Sequence, residues 1–212
     1  MAFERDQTAC RGCRLPAWLC VCEHAPRLTI RTRLLLPVHV QDLGRTSNTV
    51  RLLALAIRNA TVLGHGIFPD PADPASQVPE SETPLVLFPG HGAVPLTAEL
   101  VASLPSPPAL IAPDGSWRQA SRMVKRLPLL DRAQKVSLTE RAFAGIALRR
   151  NQAGHHMSTY EAVTQALAVL EGEEIAEPLF EFYRRATDRM LFIRGKLERD
   201  RVFGGIPEMQ RE

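Results

Sequence analysis

Four cysteines fall within thirteen residues, CRGCRLPAWLCVC, as Cys10, Cys13, Cys20 and Cys22. In a reducing compartment a cluster spaced C-x2-C-x6-C-x-C binds metal more readily than it forms two disulfides. Four thiolates suit tetrahedral zinc, and with four protein ligands no coordination position stays open, so such a zinc is structural rather than catalytic. The closing C-x-C is tighter than the usual C-x2-C. His24 stands by as a substitute ligand, and an iron–sulfur cluster is the competing occupant.

A second stretch, PDGSWRQASRM (113–123), places Asp114 and Gly115 just before a helix start. Ser116 and Gln119 have the spacing of a capping box. The preceding PPALIAP is short, apolar and bounded by prolines, which predicts a buried strand. A strand, an acidic turn and a helix mark the crevice where α/β proteins hold ligands. The competing reading is structural: Asp-Gly is a common turn pair, aspartate suits the positive end of a helix, and Trp117 is a core residue.

Basic residues cluster although the net charge is only +3. Six arginines and one acid, Asp42, lie between Arg27 and Arg58; four basic residues and no acid lie between Arg118 and Arg126. Seven basic residues face three acids between Arg184 and Arg201. Such patches suit a polyanion such as RNA. No apolar run is long enough for a membrane span. The N-terminal MAFERDQTAC lacks the pattern of a secretory signal, so a cytoplasmic protein is expected.

The elements that must carry these residues follow from periodicity. Strands are predicted in LTIRTRLLLPV, ATVLGHG, PLVLFPG, ALIAP and QKVSL. A helix capped by Ser47 or Asn48 carries the stripe Leu52, Leu53, Leu55, Ala56 and Ile57. Further helices are expected at 96–104, after Ser116, across MSTYEAVTQALAVLEG with a second capping box of Ser158 and Glu161, and from about Pro178 to Gly195. Residues 69–84 are proline-rich, acidic and aperiodic, a surface loop. Alternating strands and helices predict an α/β fold, a mostly parallel sheet with helices on both faces. The sequence contains no G-x-G-x-x-G and no P-loop. His155 and His156 read as a solvated pair in a polar loop.

The cysteine cluster, TSNTVRLL, DGSW and LRRNQAGHHMSTYEA occur in that order, and together they resemble the DTW-domain family from about Cys10 to Gly195. Ser116 replaces the signature threonine, Val50 stands where glycine is usual, with an expected effect on how RNA approaches, and an aromatic is missing before the Leu-Arg of ALRRNQ. The family comprises tRNA-uridine aminocarboxypropyltransferases. They move the 3-amino-3-carboxypropyl group of S-adenosylmethionine to N3 of a uridine and release methylthioadenosine. Their fold is related to the SPOUT class, so the resemblance implies a SPOUT-like domain with a C-terminal knot.

By the same resemblance, Asp114 is the catalytic residue, accepting the N3 proton or complementing the sulfonium. Leu87, Phe88, Pro89, Gly90, Asp114, Gly115, Trp117, Ser158, Thr159 and Glu161 are the expected cofactor-binding set, with Trp117 a flat surface for adenosine or a flipped uracil. Arg45, Asn48, Thr49, Arg51, Arg122, Lys125, Arg149 and Arg150 are expected to meet RNA. The implied organisation is a zinc module at 1–28, a catalytic domain at 29–195 and a basic tail at 196–212. The expected partner is tRNA, with no membrane, and the protein is expected to be a monomer or weak homodimer. Two other functions fit parts of the pattern: a non-catalytic zinc-containing RNA-binding protein, and a SPOUT-like RNA methyltransferase.

Overall fold

The computed structural model of the chain describes residues 9–45, 48–66, 74–139 and 157–207. Six strands form one sheet: β1 Arg33–His39, β2 Ala60–His65, β3 Thr83–Leu87, β4 Val94–Pro95, β5 Pro108–Ile111 and β6 Gln134–Ser137. Their order is β2-β1-β5-β3-β6-β4, and every pairing is parallel. The five predicted strands are all present. The sixth, β4, has only two residues, too few to show any alternation.

Along β1 the side chains alternate between two cores. Leu34, Leu36 and Val38 join one, while Leu35 joins the other with Val86 and Ile111. The first core packs the sheet against helices α2 (Val50–Ala56), α6 (Thr159–Glu171) and α7 (Glu173–Ile193). The second packs it against α4 (Trp117–Arg126), through Met123 and Val124, and against α5 (Pro128–Arg132), through Leu130. Helices therefore cover both faces, as the fold class requires. Two short helices, α1 (Val40–Leu43) and α3 (Ala98–Ser103), complete the set. Among the described residues no helix is long and apolar enough to cross a membrane.

Three local features depart from the sequence reading. The final helix begins at Glu173, ahead of Pro178, which is accommodated inside it. Gly172, at φ +111°, serves as both the end of α6 and the start of α7, so no loop separates them. Only glycine takes that backbone conformation readily. The cysteine segment shares the main core, because Cys13, Leu15, Leu19 and Val21 are buried in the same cluster as the sheet.

The end of α6 is tied to the start of β1. Glu171 accepts from the Thr32 amide and hydroxyl, both at 2.5 Å, and from Arg31 Nε at 3.2 Å. After α7 the chain folds back, burying Val202 and donating from the Phe203 amide to Asp188 at 3.0 Å. The expected knot depends on the path of residues 140–156, which lie outside the described residues.

Candidate active site and metal centre

The sheet order sets where a ligand crevice opens. From β1 the chain crosses by α2 to β2 on one side; from β5 it crosses by α4 and α5 on the opposite face to β6. Neighbouring strands whose connections diverge leave a gap at their carboxyl ends. Asp114 lies at that gap. Its amide donates to Pro37 at 2.8 Å and its carbonyl accepts from the His39 amide at 3.0 Å, so the chain after β5 still follows β1. Glycine suits position 115, at φ +157°, where a Cβ would also sit tightly, 3.1 Å from Gln119.

The Asp114 carboxylate joins three segments of the chain. Oδ2 accepts from Asn48 Nδ2 at 2.7 Å, and Oδ1 accepts from the Thr159 hydroxyl at 2.6 Å. An ionised carboxylate is acceptor-only, so it matches both donors. Asn48 is fixed in turn because its Oδ1 accepts from the Val50 amide at 2.9 Å, capping α2 as the sequence suggested. The formal N-cap, Thr49, makes no side-chain cap bond. Val50, which stands where glycine is usual, is 1% exposed and belongs to the core.

Trp117 is not a core residue: it is 63% exposed. One face stacks on Phe88, with centroids 4.7 Å apart and planes at 19°, and Phe88 follows directly on β3. This stack brings together the predicted Leu87–Gly90 stretch and the DGSW turn at the carboxyl ends of the paired strands β3 and β5. Both capping boxes form as predicted. Ser158 and Glu161 are buried, and a residue the sequence reading missed, Tyr183 on α7, meets the Ser158 hydroxyl at 2.7 Å and Glu161 at 3.4 Å. Of this group Thr159 reaches Asp114, while Ser158 and Glu161 hold the helix end.

The residues expected to meet RNA are placed differently from one another. Arg122 and Lys125 are exposed on α4 along with Arg118 and Arg126. Arg45 is exposed and pairs with buried Asp42 at 2.8 Å. Arg51 is half-buried and donates to the carbonyls of Cys13, at 3.0 Å, and Arg45, at 2.6 Å. Arg149, Arg150, His155 and His156 lie outside the described residues.

The four cysteine sulfurs lie within 4.8 Å of one another. Cys10 and Cys20 are 3.4 Å apart, Cys10 and Cys22 3.6 Å, and Cys13 and Cys20 3.8 Å. A tetrahedral ion at about 2.3 Å from each sulfur needs sulfurs about 3.8 Å apart, so the group is compatible with structural zinc. A polynuclear iron–sulfur cluster, whose thiolates bind different irons, spreads them farther. Gly12 keeps the space open: a Cβ there would lie 2.8 Å from Cys22 Sγ. The Cys13 backbone amide is the main influence lowering the Cys10 thiol to about 6, whereas burial pushes Cys20 and Cys22 up. His24 instead pairs with Glu23 at 3.4 Å.

The family model for the DTW domain matches residues 7–191. The chain is 28% identical over 169 residues to a protein of Drosophila melanogaster named tRNA-uridine aminocarboxypropyltransferase 2, covering 76% of this chain and 66% of that one. It is 27% identical over 167 residues to the protein of the same name from Mus musculus and 28% identical over 168 residues to that from Macaca fascicularis. Each of these two matches covers 76% of this chain and 56% of the relative, so the chain matches between about half and two thirds of its relatives' lengths. No solved structure matches it.

Proposed function

The chain belongs to the DTW domain family, and from that premise we propose that it modifies tRNA, transferring the 3-amino-3-carboxypropyl group of S-adenosylmethionine to N3 of a uridine. The names of its relatives support the reaction class. The observation that carries the reading is the Asp114 carboxylate, held by Asn48 and Thr159 at the crevice between β1 and β5, next to the Trp117–Phe88 stack.

S-adenosylmethionine supplies an electrophilic methylene beside a sulfonium. Uridine N3 is a poor nucleophile until its proton leaves. Asp114 takes the N3 proton as the N–C bond forms and the C–S bond breaks, with the bonding pair leaving on a neutral thioether. Asn48 and Thr159 fix the carboxylate's direction, which is how a positioned base gains over one in solution. The exposed face of Trp117 is a stacking surface for a base or for the adenosine. Arg118, Arg122, Lys125 and Arg126 extend a positive surface from that turn along α4 for the tRNA backbone. We further propose a metal-bearing module at residues 1–28, a catalytic domain at 29–195 and a basic tail at 196–212.

Bulk unmodified tRNA incubated with protein and S-adenosylmethionine, then digested to nucleosides for mass analysis, tests the reading. A uridine heavier by an aminocarboxypropyl group, with methylthioadenosine released, supports it. A methylated nucleoside would assign a methyltransferase instead. Salt-sensitive tRNA binding without any modified nucleoside would assign a non-catalytic binder.

A further inference from the structure

Arg189, on α7, is 1% exposed. Its NH1 donates to the carbonyls of Cys20, at 2.7 Å, and Leu19, at 3.3 Å, and its NH2 to Gly205 at 3.4 Å. Its Nε is buried without a hydrogen-bond partner. Among the described residues no carboxylate lies within ion-pair distance of it. A guanidinium buried among neutral carbonyls is costly unless a negative charge lies close by.

Besides Glu23, the negative charge that can lie close by is the cysteine cluster, whose Cys20 carbonyl Arg189 already holds. Four thiolates around a divalent ion carry two negative charges in excess. A second guanidinium, Arg51 from α2, is half-buried and donates to the carbonyl of another ligand, Cys13. Burial works against the charge of both arginines; at Arg189 the neighbouring Arg185 opposes it further while Glu23, then Cys20 and Cys13, favour it, and at Arg51 the Cys13 sulfur favours it and Arg14 opposes it. Two cations reaching the backbone of two ligand cysteines match a doubly negative centre.

We propose that Arg51 and Arg189 are the built-in counter-cations of a metal–tetrathiolate centre formed by Cys10, Cys13, Cys20 and Cys22. They are positioning residues: each lowers the cost of gathering four thiolates, and each anchors the centre to a helix of the catalytic domain. Arg51 also holds the Arg45 carbonyl, which links the metal to the segment leading to Asn48.

The test is the rate at which zinc-loaded full-length protein gives up zinc to excess chelator, followed with a colorimetric zinc indicator. Partners outside the ligand shell typically contribute 10- to 100-fold to metal retention. Arg189→Gln and Arg51→Gln, which keep a donor and lose the charge, are expected to release zinc about 10- to 100-fold faster. Arg189→Lys and Arg51→Lys, which keep the charge, are expected to stay closer to wild type. If Arg189→Gln does not fold, the Arg51 pair decides the matter. Wild-type release rates in the Gln variants would overturn the proposal. So would Lys variants as fast as Gln variants, which would reduce both arginines to hydrogen-bond donors, and so would a wild-type protein that takes up no zinc.

Discussion

Asn48 and Asp114 are 66 residues apart in sequence and 2.7 Å apart in space, amide nitrogen to carboxylate oxygen. Asn48 cannot turn its amide round without losing the bond its Oδ1 accepts from Val50. The donor is therefore fixed in direction, and Asp114 is the acceptor that suits it.

Asn48→Asp places a second carboxylate against Asp114 and is expected to destabilise the protein and abolish transfer. The double variant Asn48→Asp/Asp114→Asn restores one donor and one acceptor across the same gap. Denaturant unfolding of the four proteins should give a coupling energy of about 0.5–3 kcal/mol. Additive single-variant effects would count against a direct bond of any weight.

Asp114→Asn alone keeps one oxygen for Asn48, and its amide can donate to the Thr159 hydroxyl. Stability is expected to fall by only about 1 kcal/mol. The rate of single-turnover transfer at saturating S-adenosylmethionine and tRNA is expected to fall about 100- to 10,000-fold, the range for loss of a general base. A wild-type rate would remove Asp114 from the chemistry.

Trp117 contributes little to the core, being 63% exposed. Trp117→Ala removes the Phe88 stack and is expected to cost about 0.5–1.5 kcal/mol of stability. Affinity for tRNA or for S-adenosylmethionine should weaken by about 1–3 kcal/mol, whichever ligand stacks there. Equilibrium binding of each ligand identifies it, and unchanged affinity for both would leave the exposed ring without a function.

Much of the scaffold was legible in the sequence. Alternation running into an apolar stretch marked LTIRTRLLLPV as a strand, and serine followed three residues later by Gln119 or Glu161 marked both helix starts. The DGSW turn was legible as a site because a strand precedes it and a helix follows. The partners of Asp114 were not, since no local pattern states that Asn48 and Thr159 converge on one carboxylate. Tyr183 was hidden for a related reason: on α7 it follows the apolar stripe, and only the packing of α7 on α6 brings its hydroxyl to Ser158. Arg51 was grouped with phosphate contacts because charge is visible in sequence and burial is not.

Glu171 offers a pH test remote from the site. Burial alone would raise its pKa, but the Thr32 hydroxyl and amide, with Arg31, hold the carboxyl below its ordinary value. A folded-state value below the unfolded one stabilises the protein above the ordinary carboxylate range, and the gain disappears as pH falls through the folded-state value. Glu171→Gln is expected to cost about 1.5–3 kcal/mol near neutral pH. The gap from wild type should close as pH falls below the ordinary carboxylate range, measured by denaturant unfolding at each pH. A gap independent of pH would mean that packing, not charge, sets the value of this contact.

The three-way junction at Asp114 also bears on how the chain folds. Its two side-chain bonds close stretches of 66 and 45 residues, and they require β1 with α2, β5 and α6 all to be in place. Contacts that distant in sequence are entropically late, because large loops must close before any of them forms. The parallel sheet adds to the delay, since β5 must insert between β1 and β3, both formed earlier in the chain, β1 some 75 residues before it. A chain emerging from synthesis therefore carries Asp114 without its Thr159 partner until α6 arrives, and the closed junction becomes a marker of completed folding rather than of early collapse.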